Sequence, residues 1–296
     1  MKPADILIAV LVAIIWGLAF VASRFALDEL SPELMTALRF AIAAVPCLFI
    51  RKPKIAWSLL IAISSTLFLG QFLSQAYGIA HGVPVGLTSV VVQSQALFTI
   101  GFAAIAFGER PTPMQTLGIA IAAIGLLMIC GTVGYDFSVA AFAVLMISPL
   151  SFAVGNLLLR KARGVPMFDL FAWLCLASAV PLFVLTLIAD GPAPTWASLS
   201  RMSLTSALCM LALGGISTSI AYWLWGRLLR DYPAAQVVPF ALLVPFVGSA
   251  ASSIVFGERF GPLRLAGMVT VIGGIAVMVL AKRPNTLPEE PLPKTA

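Results

Sequence analysis

The tetrapeptide Phe107-Gly108-Glu109-Arg110 returns as Phe256-Gly257-Glu258-Arg259, 149 residues further on, and each copy closes a long hydrophobic stretch. The correspondence extends outward in register. Pro84 matches Pro233 ahead of the tetrapeptide, and Pro113 matches Pro262, Gly118 matches Gly267 and Gly125 matches Gly274 behind it. A chain of 296 residues that repeats itself at half its length is two copies of one unit. What the copies can build depends on how many membrane crossings each contains, because an odd number turns the second copy upside down.

That crossings are the relevant unit follows from the residues available to face water. Sixty per cent of the chain is hydrophobic and 10% is charged, where a soluble domain carries about 25% charged residues. The chain reads as an all-α integral membrane protein. Its four cysteines (Cys47, Cys130, Cys175, Cys209) lie inside apolar runs without CxxC spacing, so small core residues are expected, with no metal site, no disulfide framework and no cofactor. The first apolar run continues to Arg24 without a small-residue cleavage site and reads as a span, not as a removable leader.

A helix needs about 20 apolar residues to cross a hydrocarbon core about 30 Å thick. Breaks at charges, Gly/Pro pairs and polar clusters predict ten such segments, over 4–26, 32–50, 56–80, 84–107, 113–131, 137–160, 166–188, 204–228, 232–256 and 262–281. The stretch 189–203 is the longest expected loop, and the tail from Lys282, with four prolines, reads as disordered. With the N-terminus inside, the cytoplasmic side collects Lys2, Arg51, Lys52, Lys54, Arg110, Arg160, Lys161, Arg163, Arg227, Arg230, Lys282, Arg283 and Lys294. The outer side collects Arg24, Arg201, Arg259 and Arg264. The excess places both termini in the cytoplasm. The net charge of +6 is then a topology signal, and no nucleic-acid partner is expected from basic residues dispersed over short loops.

Five spans per copy make the second copy inverted. The expected architecture is two inverted five-helix repeats, residues 1–134 and 135–283, followed by a cytoplasmic tail, 284–296. Inverted repeats are the frame of alternating-access transporters, with the substrate held near mid-membrane between the copies.

Several stretches carry a family likeness. Ile15-Trp16-Gly17-Leu18-Ala19-Phe20, Leu38-Arg39-Phe40 and both Phe-Gly-Glu-Arg ends resemble the EamA branch of the drug/metabolite transporter superfamily. Pro84 to Arg110, with Val92-Gln93-Ser94-Gln95-Ala96-Leu97-Phe98-Thr99-Ile100, and Val238-Pro239-Phe240-Ala241-Leu242-Leu243-Val244-Pro245 are similar to bacterial exporters of O-acetylserine and cysteine. Aromatic amino-acid exporters share part of the likeness. Ala19 departs from the cysteine-type pattern, which has an asparagine there. The resemblance implies ten helices in two inverted halves, a multi-pass protein of the bacterial inner membrane, and export of amino acids or related metabolites. A monomer carrying a neutral amino acid through the lipid bilayer is expected, with efflux of amphipathic drugs as the alternative.

Depth in the membrane selects candidate binding residues, because polar groups there need a cavity or a partner helix. Trp16 lies near the middle of the first span. Gln71, Ser74, Gln75 and Gly78 share one face of the third, with Tyr77 and His81 on a neighbouring face. Gln93 and Gln95 sit about 200° apart on the fourth span; one should line the pathway while the other bonds a neighbouring helix, and spacing does not choose between them. The second half offers Ser148, Asn156, Trp173, Ser217, Thr218, Tyr222 and Trp223. Trp173 reads as a cavity wall or an interfacial anchor. Pro239 and Pro245 interrupt the ninth span and are expected to form a flexing gate. Glu109 and Glu258 cap helix pairs at the two surfaces. Arg39 is the one charge clearly inside a span; it can meet a substrate carboxylate, pair with Glu258 or snorkel outward, and the structural ion pair is expected first.

No Asp or Glu falls near the middle of a span. Proton-driven carriers commonly use a buried carboxylate, so facilitated diffusion, or coupling through His81 or water, is expected. The same gap argues against an intramembrane enzyme, which needs a nucleophile with a base or a metal cluster. The inverted repeat argues against a channel.

Overall fold

The structure, a computed structural model, describes residues 1–134, 136–162 and 164–280. The expected disordered tail, and Arg163, Lys282, Arg283 and Lys294 of the orientation count, lie outside the described residues. Every regular element among those described is helical.

The long helices are α1 (Pro3–Leu27), α2 (Pro32–Ala43), α3 (Trp57–Ala80), α4 (Val85–Phe107), α5 (Pro113–Cys130), α6 (Val139–Ala162) and α7 (Met167–Ala189). After the short α8 (Pro192–Arg201) come α9 (Leu204–Asp231), α10 (Val238–Phe256) and α11 (Pro262–Leu280). Nine of these, all but α2 and α8, are long and apolar enough to cross a membrane. Their ends follow local chemistry. Ser31, Thr112, Ser138 and Ser203 each accept a backbone N–H of the turn they open, and Thr112 and Gln115 form a reciprocal capping box ahead of α5. Gly108 and Gly257 end α4 and α10 at φ 66° and 67°. The glycine of the repeated tetrapeptide is thus a left-handed helix stop, a conformation that a side chain disfavours.

Two expectations change. The second predicted span, 32–50, stops as an α-helix at Ala43 and continues only as a 3₁₀ turn, Val45–Leu48, because Pro46 has no N–H to continue the ladder. The predicted loop 189–203 contains α8, which starts after Gly191 and leaves Trp196 exposed.

Irregular backbone recurs in helices that the sequence repeat brings into register. α3 contains a π-helical stretch, Ser64–Gly70, and α9 contains another, Ala212–Ile220. α4 is interrupted by a 3₁₀ turn at Val92–Ser94, and α10 begins with one at Val238–Leu242. The principal packed pairs are α5 with α11, α1 with α10, α4 with α6, α2 with α7, α3 with α6, α1 with α9, α3 with α7, α2 with α9 and α4 with α10. Exchanging α1–α5 for α6, α7, α9, α10 and α11 in that order maps this set onto itself. One buried core runs between α1, α4, α6 and α11, and a second between α2, α3 and α7.

Candidate functional site

A cavity of about 520 Å³ lies between the end of α2, the π stretch of α3, the start of α7 and the second half of α9. Its size is that of a small-molecule site, roughly 300–1,000 Å³. The early end of α2 makes room for it, since Ala43 and Pro46 form part of its wall. Phe68, Phe171 and Tyr222 give it an aromatic lining, and Thr218 and Ser219 supply hydroxyls from the π stretch of α9. Those two side chains reach back five residues for their acceptors, Thr218 to the Leu213 carbonyl at 2.7 Å and Ser219 to the Gly214 carbonyl at 3.1 Å.

The mouth lies where α7 begins and α9 ends, between Pro166, Met167, Phe168, Arg227 and Arg230. Arg227 is tied to Asp5 of α1 at 3.2 Å and to Asp231 at 3.6 Å. The Tyr232 hydroxyl donates to the second Asp5 oxygen at 2.6 Å, and that carboxylate holds the phenol's pKa above its ordinary value. The first turn of α1 is thereby clasped to the end of α9.

At the deep end the Tyr222 ring lies 5.2 Å from Phe171, 5.3 Å from Trp16 and 6.4 Å from Phe68. The Trp16 indole donates to the Ser217 carbonyl at 3.1 Å. Behind this layer stands Arg39, 4% exposed. Its Nε donates to Thr218 Oγ1 at 2.9 Å and one terminal nitrogen to Ser217 Oγ at 3.4 Å, with the guanidinium 4.3 Å from the Phe72 ring centre. A charge in a membrane interior costs about 2.5–3.5 kcal/mol on insertion scales. Here two neutral hydroxyls and a π face offset part of it. The expected pair with Glu258 does not form: the Glu258 carboxylate receives the backbone N–H groups of Val85 (2.6 Å) and Gly86 (2.9 Å) at the start of α4.

The remaining candidates are dispersed. Of the binding candidates, Thr218, Tyr222 and Trp223 line the cavity and Trp16 touches it from behind. Gln71, Ser74 and Gln75 are buried on the α3 face whose Gly78 meets Leu145 of α6, and Gln71 Oε1 has no hydrogen-bond partner. Tyr77 stacks on His81 with centroids 3.8 Å apart, beyond the cavity. Gln93 donates to the Ala241 carbonyl of α10 at 3.2 Å, so it is the glutamine that bonds a neighbouring helix, while Gln95 Oε1 is unpartnered. Asn156 is half-buried on α6 outside the cavity lining. Trp173 donates to the Ile50 carbonyl at 3.3 Å and meets Trp57 edge-on at 6.1 Å, an anchor's position. Pro239 lies in the 3₁₀ start of α10 and Pro245 six residues later, where its carbonyl receives Ser89 Oγ at 3.4 Å. Glu109 meets Arg160 at 2.5 Å.

Phe68, Phe171 and Ser219 were not singled out by the sequence. An aromatic residue in an apolar span carries no mark that separates a cavity wall from a core contact. Arg264, counted among the outer loop cations, is 4% exposed. It donates twice to Asp136, at 2.6 and 2.7 Å, and to the Thr132 hydroxyl at 3.2 Å. The Arg264 bonds hold the Asp136 carboxyl below the usual carboxylate range.

Comparison with known proteins gives the site its context. The EamA-like transporter family matches residues 4–131 and 139–280. A probable amino-acid metabolite efflux pump of Escherichia coli (strain K12) is 33% identical over 290 residues, which cover 96% of this chain and 97% of that protein. A probable terminal-alkyne amino-acid exporter of Streptantibioticus cattleyicolor is 27% identical over 282 residues, 91% of each chain. One crystal structure, 18% identical, shares the fold at a TM-score of 0.65 over 94% of this chain and 96% of its own. The chain belongs to the EamA-like transporter family and is a multi-pass protein of the bacterial inner membrane.

Proposed function

Proceeding from that membership, we propose that the chain exports amino acids or related small metabolites from the cytoplasm by alternating access, through ten spans in two inverted five-helix halves. The observation that carries this reading is the cavity between α2, α3, α7 and α9, walled by Phe68, Phe171, Tyr222, Thr218 and Ser219 and open where α9 ends in Arg227 and Arg230. The lysine and arginine excess puts that end in the cytoplasm, with both termini. The cavity then faces inward, ready to load. The outer end is where α4 and α10 meet, with Glu258 on the first amides of α4 and Ser249 donating to the Gly86 carbonyl at 3.2 Å. The matched packed pairs and the matched π and 3₁₀ segments support two equivalent halves, which can exchange this arrangement for one opening to the other side.

Two features narrow the cargo and its driving force. Arg227 and Arg230 at the mouth are paired with Asp5 and Asp231, so the uncompensated charge beside the cavity is that of Arg39 behind its wall, and the lining includes no carboxylate. A cationic drug would be repelled there, which leaves zwitterions and anions. Among the described residues the one buried acid is Asp5, in the first turn of α1. With no carboxylate at mid-span to carry a proton, transport runs down the substrate gradient.

The test is counterflow of labelled neutral amino acids into proteoliposomes containing the purified chain, with Ala172→Trp, which fills the cavity from α7, as the blocked control. Absence of saturable flux for every amino acid would discard the amino-acid reading. Accumulation driven by an imposed pH gradient would discard the facilitator mechanism.

A further inference from the structure

Arg39 has more hydrogen-bonding capacity than the protein uses. A guanidinium carries five N–H donors. Two are engaged, by Thr218 Oγ1 and Ser217 Oγ, and both acceptors are neutral. Among the described residues no carboxylate pairs with it. Yet its side chain is buried, 4% exposed, and Phe72 covers one face. Thr218 is the link to the cavity, since its hydroxyl accepts from Arg39 and its side chain forms part of the cavity wall. The positive charge therefore sits one side chain behind the wall.

We infer that Arg39 receives the carboxylate of the transported molecule, and that the rings of Phe68, Phe171 and Tyr222 select a large apolar side chain on it. The inference rests on the transport reading above and deepens it. A carboxylate matches the guanidinium fork with two parallel hydrogen bonds and supplies the charge that the hydroxyls do not. A substrate with an amine and no carboxylate leaves that charge uncompensated and adds a second cation. The ring cluster dictates the rest of the molecule. Three aromatic faces with the apolar Met167 and Phe168 near the mouth offer surface that a small side chain would leave unfilled.

The alternative is that Arg39 only ties α2 to α9. Competition on the unaltered protein separates the two. In proteoliposomes showing counterflow of labelled L-phenylalanine, unlabelled L-phenylalanine and 3-phenylpropionate are expected to compete. L-phenylalaninamide and phenethylamine, which keep the ring and lack the carboxylate, should compete about 10- to 100-fold less well, the range for losing a hydrogen bond to a charged group. Glycine should compete poorly. R39Q, if it remains monodisperse in detergent, should abolish the discrimination between L-phenylalanine and its amide. Equal competition by the amide in the wild type overturns the carboxylate assignment while leaving amino-acid transport intact. Flux confined to small amino acids overturns the side-chain assignment. Absence of flux for every amino acid removes the transport reading itself.

Discussion

Gln93 on α4 donates its side-chain amide to the carbonyl of Ala241 on α10, at 3.2 Å, and Ala241 is the residue four positions before Pro245. In an uninterrupted α-helix the residue at 245 would supply that donor. Proline has no N–H to give, so a partner helix fills the place. A proline read from the sequence as a flexing gate is thus matched by a glutamine on the opposing span. The bond joins the two irregular segments, the 3₁₀ turn at Val92–Ser94 and the one at Val238–Leu242.

Replacing Gln93 by leucine should therefore leave the Ala241 carbonyl short of a donor and lower stability by about 1 kcal/mol. The same change should cost almost nothing once Pro245→Ala restores a backbone N–H at the right place. The double-mutant cycle, read by unfolding in detergent, is expected to give a coupling of about 1 kcal/mol. An equal penalty in both backgrounds would mean that Gln93 does not serve the carbonyl that the proline leaves free.

Glycines that repeat in register meet each other in the fold. A Cβ on Gly118 would lie 2.6 Å from the Gly274 carbonyl, and one on Gly267 would lie 2.9 Å from the Gly125 carbonyl. Backbone cannot swing aside as a side chain can, so α5 and α11 approach as closely as they do only because these positions are bare. Gly274→Leu should lower stability by about 1–3 kcal/mol through overpacking. Gly273→Leu, one residue away on α11 with open space beside it, should be neutral or slightly stabilising. Similar melting temperatures for the two variants would contradict the close crossing.

Long apolar runs made the helices legible. The end of α2 was less so, because Pro46 lies within an apolar run that reads as continuous. The π stretches left only small and hydroxyl residues, Ser64-Ser65-Thr66 and Ser217-Thr218-Ser219, which look like any polar stripe. In the candidate site, Trp16, Arg39 and Tyr222 stood out because a polar group in hydrocarbon needs a partner. Gln71 and Gln75 met the same criterion and pack toward α6 instead, since depth alone cannot separate a cavity from a helix interface. Phe68 and Phe171 gave no signal, as burial in a core and burial around a ligand call for the same side chain.

The two Phe-Gly-Glu-Arg carboxylates hold different partners in this conformation. Glu258 spans to the first amides of α4, whereas Glu109 contacts Arg160. A carboxylate at a helix N-terminus contributes about 0.3–1 kcal/mol, up to about 2 in a partly buried geometry. On the alternating-access reading proposed above, Glu258→Gln should weaken this clasp and shift the population toward an outward form by roughly 2- to 30-fold, by the same magnitudes. A cysteine at Ser252, fully buried against α4 in this state, would report it in a background lacking the four native cysteines. Alkylation from the outer side should accelerate in Glu258→Gln, and an unchanged rate would show that the carboxylate does not hold the outer end closed.

Arg264 and Asp136 give a pH dependence with a defined sign. Asp136 is held below the ordinary carboxylate range, first by hydrogen bonds from Arg264. A group whose folded-state pKa is depressed contributes stability in full above its unfolded value, about 3.9, and loses it as pH falls through the lower folded value. Breaking a fully buried pair costs about 3–5 kcal/mol. Here Arg264 is 5% exposed at its side chain but Asp136 is 50% exposed. Solvent screening reduces the expected cost to about 1–2 kcal/mol. Asp136→Asn should thus be less stable than wild type at pH 7, and the difference should shrink as the pH is lowered below about 4. Unfolding in detergent at a series of pH values would show it. A gap that stays constant down to the lowest pH would place the stabilisation in the Thr132 bonds and the Phe137 ring that also face Arg264, and not in the carboxylate.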